Sequence, residues 1–282
     1  MKERIIALPK NERLREDVEP FLREALFLER SNDNTGTMRS PYLPNVKLVS
    51  LRTTDIERLV KQSRVDIGVL GDDQAIETRF ETGENLGLRQ FGLVPKTPAK
   101  LRYLIREEDF QKFEELGVQP NMTGFGEAMS RTSSADAWTK NYISRDRVLG
   151  KERICITSYP NTLNALSFAQ SWSNFNFPQQ LQPIEVCTVD GQVEASLRNG
   201  IFGNAVMALD LVRSGETAAK YSLRPLGGSL LTALPSFWVP KTDINDPWLN
   251  ELVQKLKEKL LSVTEITEEP VGPLSSFLYQ KQ

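Results

Sequence analysis

The chain has 282 residues, enough for about two domains at ~100–200 residues each, and 39% of them are apolar, so it can bury a sizeable core. Its 35 basic and 37 acidic side chains leave a net charge of −2, which argues against a nucleic-acid binder that works through a basic field. It contains no histidine, which excludes Ser-His-Asp and Cys-His catalysis, histidine proton shuttles and every His-containing metal site. Any acid, base or metal ligand is therefore a carboxylate, Lys, Tyr, Cys, a backbone group or the substrate.

In chain order, residues 4–8 read as a short buried strand, ended by Pro9-Lys10-Asn11. Leu14, Val18, Phe21, Leu22, Ala25 and Leu26 then recur at helical spacing, with Pro20 predicting a kink. A polar loop follows over 33–44, and 46–51 is the next strand. Thr54 with Glu57 three residues on reads as a capping box that opens a helix ending by Ser63. Residues 65–70 form a strand leading into a Gly71-Asp72-Asp73 turn. From 106 to 150 the periodicity weakens and the segment reads as loop-rich.

Regular patterning resumes with a strand at 153–157, the turn 158–161 and a helix with Ala165, Leu166, Phe168, Ala169 and Trp172 on its apolar face. A strand at 184–189 precedes a helix from about Gln192, closed by Asn199-Gly200. Strands are expected at 205–209 and 230–239. Asp246-Pro247 opens the clearest helix, whose face is Trp248, Leu249, Leu252, Val253, Leu256, Leu260 and Val263. The last residues, from Thr264, read as a tail. This alternation means α/β with largely parallel sheets.

The cysteines, Cys155 and Cys187, fall singly in strand-like runs without a CxxC pair, which fits buried strand residues in a reducing compartment. No run approaches the ~20 apolar residues that span a bilayer. The start, Met1-Lys2-Glu3-Arg4, lacks the apolar centre of a signal peptide, so the expectation is a soluble cytoplasmic protein. No G-x-G-x-x-G or Walker A match occurs.

Four turns place functional side chains just after strands, where open α/β sheets bind ligands. They carry Lys10 with Asn11, Glu12 and Arg13; Arg52; the Gly71-Asp72-Asp73 turn; and Asp210 followed by Ser214-Gly215-Glu216-Thr217. In the last, an apolar strand leads to one carboxylate and then to a Ser-Gly-x-Thr turn opening a helix. Backbone N–H groups at such a turn bind phosphate, and Ser214 and Thr217 add hydroxyls. Asp210 suits ribose hydroxyls or a metal carried by a pyrophosphate.

The order of these turns resembles the ATP phosphoribosyltransferase family, which catalyses the first step of histidine biosynthesis. The resemblance rests on 7–10 with Arg13-Leu14, 50–52 with Asp55-Ile56, 65–73, 158–161, 191–195 and 210–217, in the family's order. It implies a two-lobed α/β fold similar to type II periplasmic binding proteins, with a cleft between the lobes. The expected layout is lobe I over 1–100 and lobe II over 101–223 with an insertion at 106–148. The chain then returns to lobe I over 224–263, and 264–282 is a C-terminal tail. After Val263 there is no room for the regulatory domain of long-form enzymes, so the core resembles the short form.

The resemblance further implies that N1 of ATP displaces pyrophosphate from C1 of phosphoribosyl pyrophosphate (PRPP), with Mg²⁺ present. Glu194 and Asp210 are then the catalytic residues, with Mg²⁺ held at either of them through PRPP. Lys10, Arg13, Arg52, Asp73, Ser214, Gly215, Glu216 and Thr217 are the substrate-binding residues. Short-form relatives use a regulatory subunit similar to a histidyl-tRNA synthetase, so that partner or a homo-oligomer is implied, with no nucleic acid and no membrane. The sequence departs from the family at Asn11-Glu12, where a glycine is usual, at Gly203-Asn204, where an Ala-Asp pair is usual, and at Glu216. Two alternatives therefore stand beside this function: a divergent paralogue that uses another acceptor, and a non-catalytic small-molecule binder of the same fold.

Overall fold

The computed structural model describes residues 3–30, 37–115, 154–165, 185–189, 191–202, 205, 207–243 and 245–278. The chain divides into two compact units. The first comprises Met1–Pro98, Ala233–Pro270 and Ser275–Gln282; the second comprises Ala99–Thr232 and Val271–Leu274. The expected helix face beyond Ala165 and most of the expected insertion, from 116 to 148, lie outside the described residues.

The first unit is built on an eight-stranded sheet in the order β13 (Ile266–Thr267), β6 (Leu88–Leu93), β12 (Pro235–Val239), β5 (Ile67–Gly71), β1 (Arg4–Pro9), β4 (Leu43–Leu51), β3 (Met38–Ser40), β2 (Glu29–Arg30). Its centre is β1 (Arg4–Pro9), parallel both to β4 (Leu43–Leu51) and to β5 (Ile67–Gly71). Each strand runs directly into a helix: α1 (Glu12–Leu26), α2 (Thr53–Lys61) and α3 (Asp72–Thr82). Asn11 opens α1, its side chain accepting from the Arg13 N–H at 3.0 Å. The helix runs through Pro20 to a left-handed cap at Phe27. Val18, Leu22, Ala25 and Leu26 bury one face against Ile6, Leu8, Leu48 and Val69 of the sheet.

The helix read from Asp246-Pro247 is observed as α8 (Pro247–Leu261), numbered after the helices of the second unit. Asp246 caps it by accepting from the Trp248 N–H at 3.0 Å, and Leu249, Leu252, Val253, Leu256 and Leu260 are buried. Here periodicity, cap and proline agree, and the observed helix starts where they say.

Several expectations move. Helix α2 starts two residues early, with Arg52 and not Thr54 at its N-cap and no side-chain cap bond. The capping box does not form; the Glu57 carboxylate pairs with Lys61 at 3.2 Å, an i,i+4 contact. Gly71-Asp72-Asp73 is not a free turn: the strand runs to Gly71, and Asp72 begins α3 directly. The strand expected at 230–239 is two strands in different sheets, β11 (Leu223–Ala233) and β12 (Pro235–Val239), with Leu234 between them. The return to the first unit therefore comes at Ala233. Residues beyond 264 are not a tail: β13 (Ile266–Thr267) pairs with β6 (Leu88–Leu93), and Leu274 and Leu278 are buried.

The second unit holds a five-stranded sheet in the order β11-β7-β10-β8-β9. Strands β8 (Ile154–Thr157), β9 (Glu185–Thr188) and β10 (Met207–Val212) are mutually parallel, while β7 (Ala99–Arg106) is antiparallel to β10. Helix α4 (Glu107–Glu115) follows β7, and a helix α5, described over 160–165, follows β8. Helices α6 (Val193–Arg198) and α7 (Glu216–Lys220) cover one face, where Val193, Leu197 and Ala218 pack on Leu104, Ile156 and Ala208. Asn199 and the left-handed Gly200 close α6.

Both cysteines are free and lie on adjacent strands; burial is the leading cause that pushes the Cys187 thiol above its ordinary value. Among the described residues no helix is long and apolar enough to cross a membrane.

Candidate functional site

The site residues of the first unit gather where three parallel strands end. Because Pro9 pairs with Leu51, the next residues, Lys10 and Arg52, are neighbours, and the Lys10 N–H donates to the Leu51 carbonyl at 2.7 Å. Both side chains are exposed, and among the described residues no ion pair engages either. Strand β5 lies on the other side of β1, with Ala7 opposite Gly68, so Gly71 and the start of α3 reach the same edge. The N-termini of α1, α2 and α3 all open there, adding partial positive charge from their first amides.

Asp73 lies in the first turn of α3, and its carboxylate folds back over Gly71. A methyl group built at Gly71 would run into that carboxylate and touch Leu14 of α1. With glycine at 71, the Asp73 carboxylate occupies the space that a side chain there would take. Arg13 is half-buried in the first turn of α1, on the same edge. Lys10, Arg13, Arg52 and Asp73 thus lie at one edge of the sheet.

The neighbour of Asp73 has a different task. Asp72 is fully buried, and Arg89 grips it with Nε–Oδ1 at 2.9 Å and Nη2–Oδ2 at 3.2 Å. Burial pushes the Asp72 carboxyl up from its ordinary value, while Arg89 and a hydrogen bond from Ser236 pull it back. The Arg89 Nη1 also donates to the Glu268 carbonyl at 2.5 Å, tying the start of α3 to the segment beyond β13. Asp72 therefore fixes the direction of α3, and Asp73 faces the strand ends.

In the second unit the register again builds an edge. Thr157 is level with both Thr188 and Leu209, so the three segments that follow β8, β9 and β10 emerge side by side. The first carries Ser158 and Tyr159. The buried Thr157 hydroxyl organises it by donating to the Leu209 carbonyl and accepting from the Tyr159 N–H, both at 2.8 Å. The second contains Gly191 (φ 75°) and Gln192 (φ 53°), then Glu194, half-buried in the first turn of α6.

The third segment differs from expectation in one respect. The strand read at 205–209 runs on to Val212, so Asp210 is a strand residue and not part of the turn. Its carboxylate accepts from the Leu211 N–H at 2.8 Å. The turn proper is Arg213-Ser214-Gly215, with Gly215 at φ 80° as the N-cap of α7. A Cβ at Gly215 would meet nothing within 4 Å, so glycine serves the left-handed backbone there and not a tight approach inside the fold. Ser214 Oγ accepts from the Glu216 N–H at 3.3 Å, and the Ser214, Glu216 and Thr217 side chains are exposed.

Sequence reasoning missed Thr157, whose hydroxyl ties two of these segments together, and it missed strand β7 altogether. The signal for β7 was present: apolar and basic residues alternate over Ala99-Lys100-Leu101-Arg102-Tyr103, and burial follows that alternation. As for metals, no group of three or more Asp, Glu or Cys side chains able to hold an ion occurs among the described residues. The oxygen donors at this edge, Glu194 and Asp210, fit instead an ion that brings most of its ligands with it as phosphates and water.

The model of the ATP phosphoribosyltransferase family matches residues 52–261. The chain is 25% identical over 227 residues to the ATP phosphoribosyltransferase of Corynebacterium jeikeium, covering 80% of this chain and 61% of that protein. It is 26% identical over 223 residues to the enzyme of Schizosaccharomyces pombe, covering 79% and 60%. It thus spans about three fifths of the length of these relatives. Among solved structures, a chain of the ATP phosphoribosyl transferase (HisG:HisZ) complex from Thermotoga maritima superposes with a TM-score of 0.57 at 16% identity. That match covers 92% of this chain and 97% of the other, which shows a shared fold. With the family model matching nearly three quarters of its length, the chain belongs to the ATP phosphoribosyltransferase family.

Proposed function

We propose that the protein joins N1 of ATP to C1 of PRPP and releases pyrophosphate. The new N–C bond forms as the C1–O bond breaks, and the bonding electrons leave on the pyrophosphate. The nucleophile is a neutral ring nitrogen and the leaving group departs already charged, so the work is positioning and charge stabilisation. A chain without histidine is well suited to such a reaction.

The observation that carries this reading is the parallel register of β8, β9 and β10, which puts the Glu194 turn, Asp210 and the Ser214–Thr217 turn on one edge. In the proposed arrangement the Ser214–Thr217 turn and the first amides of α7 bind the 5-phosphate of PRPP. Asp210 and Glu194 hold the ribose hydroxyls. Mg²⁺, when bound with PRPP at these carboxylates, neutralises the pyrophosphate. At the strand ends of the first unit, Lys10, Arg13 and Arg52 supply positive charge for polyphosphate, and Asp73 orients a substrate donor. A regulatory subunit similar to a histidyl-tRNA synthetase, or a second copy of the chain, completes the assembly. The name of the Thermotoga maritima relative, itself a two-component complex, supports the first of these.

The test is pyrophosphate release from PRPP and Mg²⁺ with and without ATP, run beside Asp210→Asn. The proposal expects release that requires ATP and falls at least a hundredfold in Asp210→Asn. Release with another acceptor only would favour the divergent paralogue, and PRPP binding without release would favour the binder.

A further inference from the structure

Of the cations on the second sheet, Lys100 and Arg102 have no ion pair among the described residues and no task in the proposed reaction. They sit two residues apart on β7 and therefore project from the same face. The register identifies that face: Arg102 stands opposite Asp210, Lys100 opposite Val212, and Leu104 opposite Ala208. Leu104, Ala208 and Val212 pack with Val193 and Leu197 of α6 and Ala218 of α7. Arg102 thus shares with Asp210 the face covered by the two helices whose first turns carry Glu194 and Glu216. Since β7 is antiparallel to β10, the step from Leu104 through Arg102 to Lys100 leads toward the edge where β10 enters the Ser214–Thr217 turn.

An arginine directly opposite an aspartate on an antiparallel pair ordinarily forms a salt bridge. Here the Asp210 carboxylate takes the Leu211 N–H, and Arg102 Nε is buried without a hydrogen-bond partner. A buried guanidinium N–H left unsatisfied is costly. Its fork of parallel donors matches phosphate oxygens in a way that a lysine does not. We propose that Arg102, with Lys100 as a second positive charge, is a substrate-contacting residue that binds a phosphate group of the ligand held at Asp210 and the Ser214–Thr217 turn. This rests on the phosphoribosyltransferase reading for its substrate but not for its anion chemistry.

The experiment uses the full chain and inorganic pyrophosphate as the probe, by titration calorimetry, on wild type, Arg102→Met and Arg102→Lys, with a ligand-free melting temperature for each. Wild type is expected to bind, and Arg102→Met to bind at least tenfold more weakly. Arg102→Lys should fall between them, because it keeps the charge and loses the fork. The ligand-free melting temperature of Arg102→Met should be unchanged or higher, since Nε has no bond to lose and methionine keeps the apolar stem. A structural role would show the reverse pattern: a lower melting temperature with pyrophosphate affinity retained, which overturns the proposal. Absence of wild-type binding at millimolar pyrophosphate overturns it as well. If Arg102→Met does not fold, Arg102→Lys carries the test, and wild-type affinity in that variant overturns the proposal. The two readings fail separately. Pyrophosphate binding lost in Arg102→Met, without ATP-dependent turnover in wild type, sinks the transferase and leaves the anion site. Turnover with an unchanged KM for PRPP in Arg102→Met does the opposite.

Discussion

Replacing Arg89 by methionine strikes the most deeply buried ion pair described in the molecule and gives a loss of stability whose size depends on pH. Arg89 and Asp72 are 4% and 0% exposed at their side chains, and the guanidinium also holds the Thr267 carbonyl at 3.3 Å and the Glu268 carbonyl at 2.5 Å. Removing one partner of such a pair leaves an uncompensated buried charge and costs about 3–5 kcal/mol. At ~2–4 °C per kcal/mol for a chain of this size, the melting temperature should fall by roughly 6–20 °C near neutral pH. Burial already pushes the Asp72 carboxyl up, and without Arg89 only Ser236 opposes it. A carboxyl whose folded pKa lies above its unfolded value of about 3.9 contributes stability that is complete below that value. That stability is lost as pH rises through the folded pKa. Arg89→Met should therefore be damaged less at about pH 4 than at about pH 8, where the bare charge must stay buried. Adding Asp72→Asn should remove the pH dependence and recover part of the loss. Thermal unfolding followed by circular dichroism at both pH values is the assay. A loss below about 1 kcal/mol at the higher pH, or equal losses at both, would refute the reasoning.

Gly71→Ala should push aside the Asp73 carboxylate with little loss of melting temperature, because the methyl group meets a movable side-chain end; substrate affinity at that edge should fall, as calorimetry would register. Gly215→Val should cost about 1–2 kcal/mol for a β-branched residue at φ 80°, and Gly215→Asn clearly less; equal losses in denaturant unfolding would contradict a purely conformational role. Thr157→Val should cost about 1–3 kcal/mol by removing the hydroxyl bonds to the Leu209 carbonyl and the Tyr159 N–H, with Thr157→Ser close to wild type in the same unfolding assay. Glu216→Thr should change PRPP affinity by less than about tenfold, since the side chain is exposed; a larger gain by calorimetry would mean that it faces the phosphate.

What the sequence made legible was what short-range chemistry decides. The Asp246-Pro247 start, the apolar stripe of α8 and the Asn11 break before α1 all rest on signals a few residues long. The strand-end positions of Lys10 and Arg52 were readable for the same reason, because each closes an apolar run. Long-range decisions were not readable. Leu230 to Val239 is one apolar stretch, and nothing local reveals that Leu234 passes the chain from one sheet to another. Of two adjacent carboxylates, Asp72 is the buried one because Arg89, seventeen residues on, arrives beside it. Ile266 and Thr267 form too short a strand to leave a pattern, so the segment read as a tail. Strand β7 was overlooked although Lys100 and Arg102 alternate with apolar residues, because the alternation is lost over Tyr103-Leu104-Ile105, buried on both faces.

The central claim is a bond between two substrates. Incubating the full chain with ATP, PRPP and Mg²⁺, and weighing the nucleotide product by mass spectrometry, tests it most directly. The account predicts an ATP adduct heavier by one phosphoribosyl group, formed in step with pyrophosphate. Unmodified ATP, with PRPP bound at the Asp210 edge or consumed by a different acceptor, would contradict it.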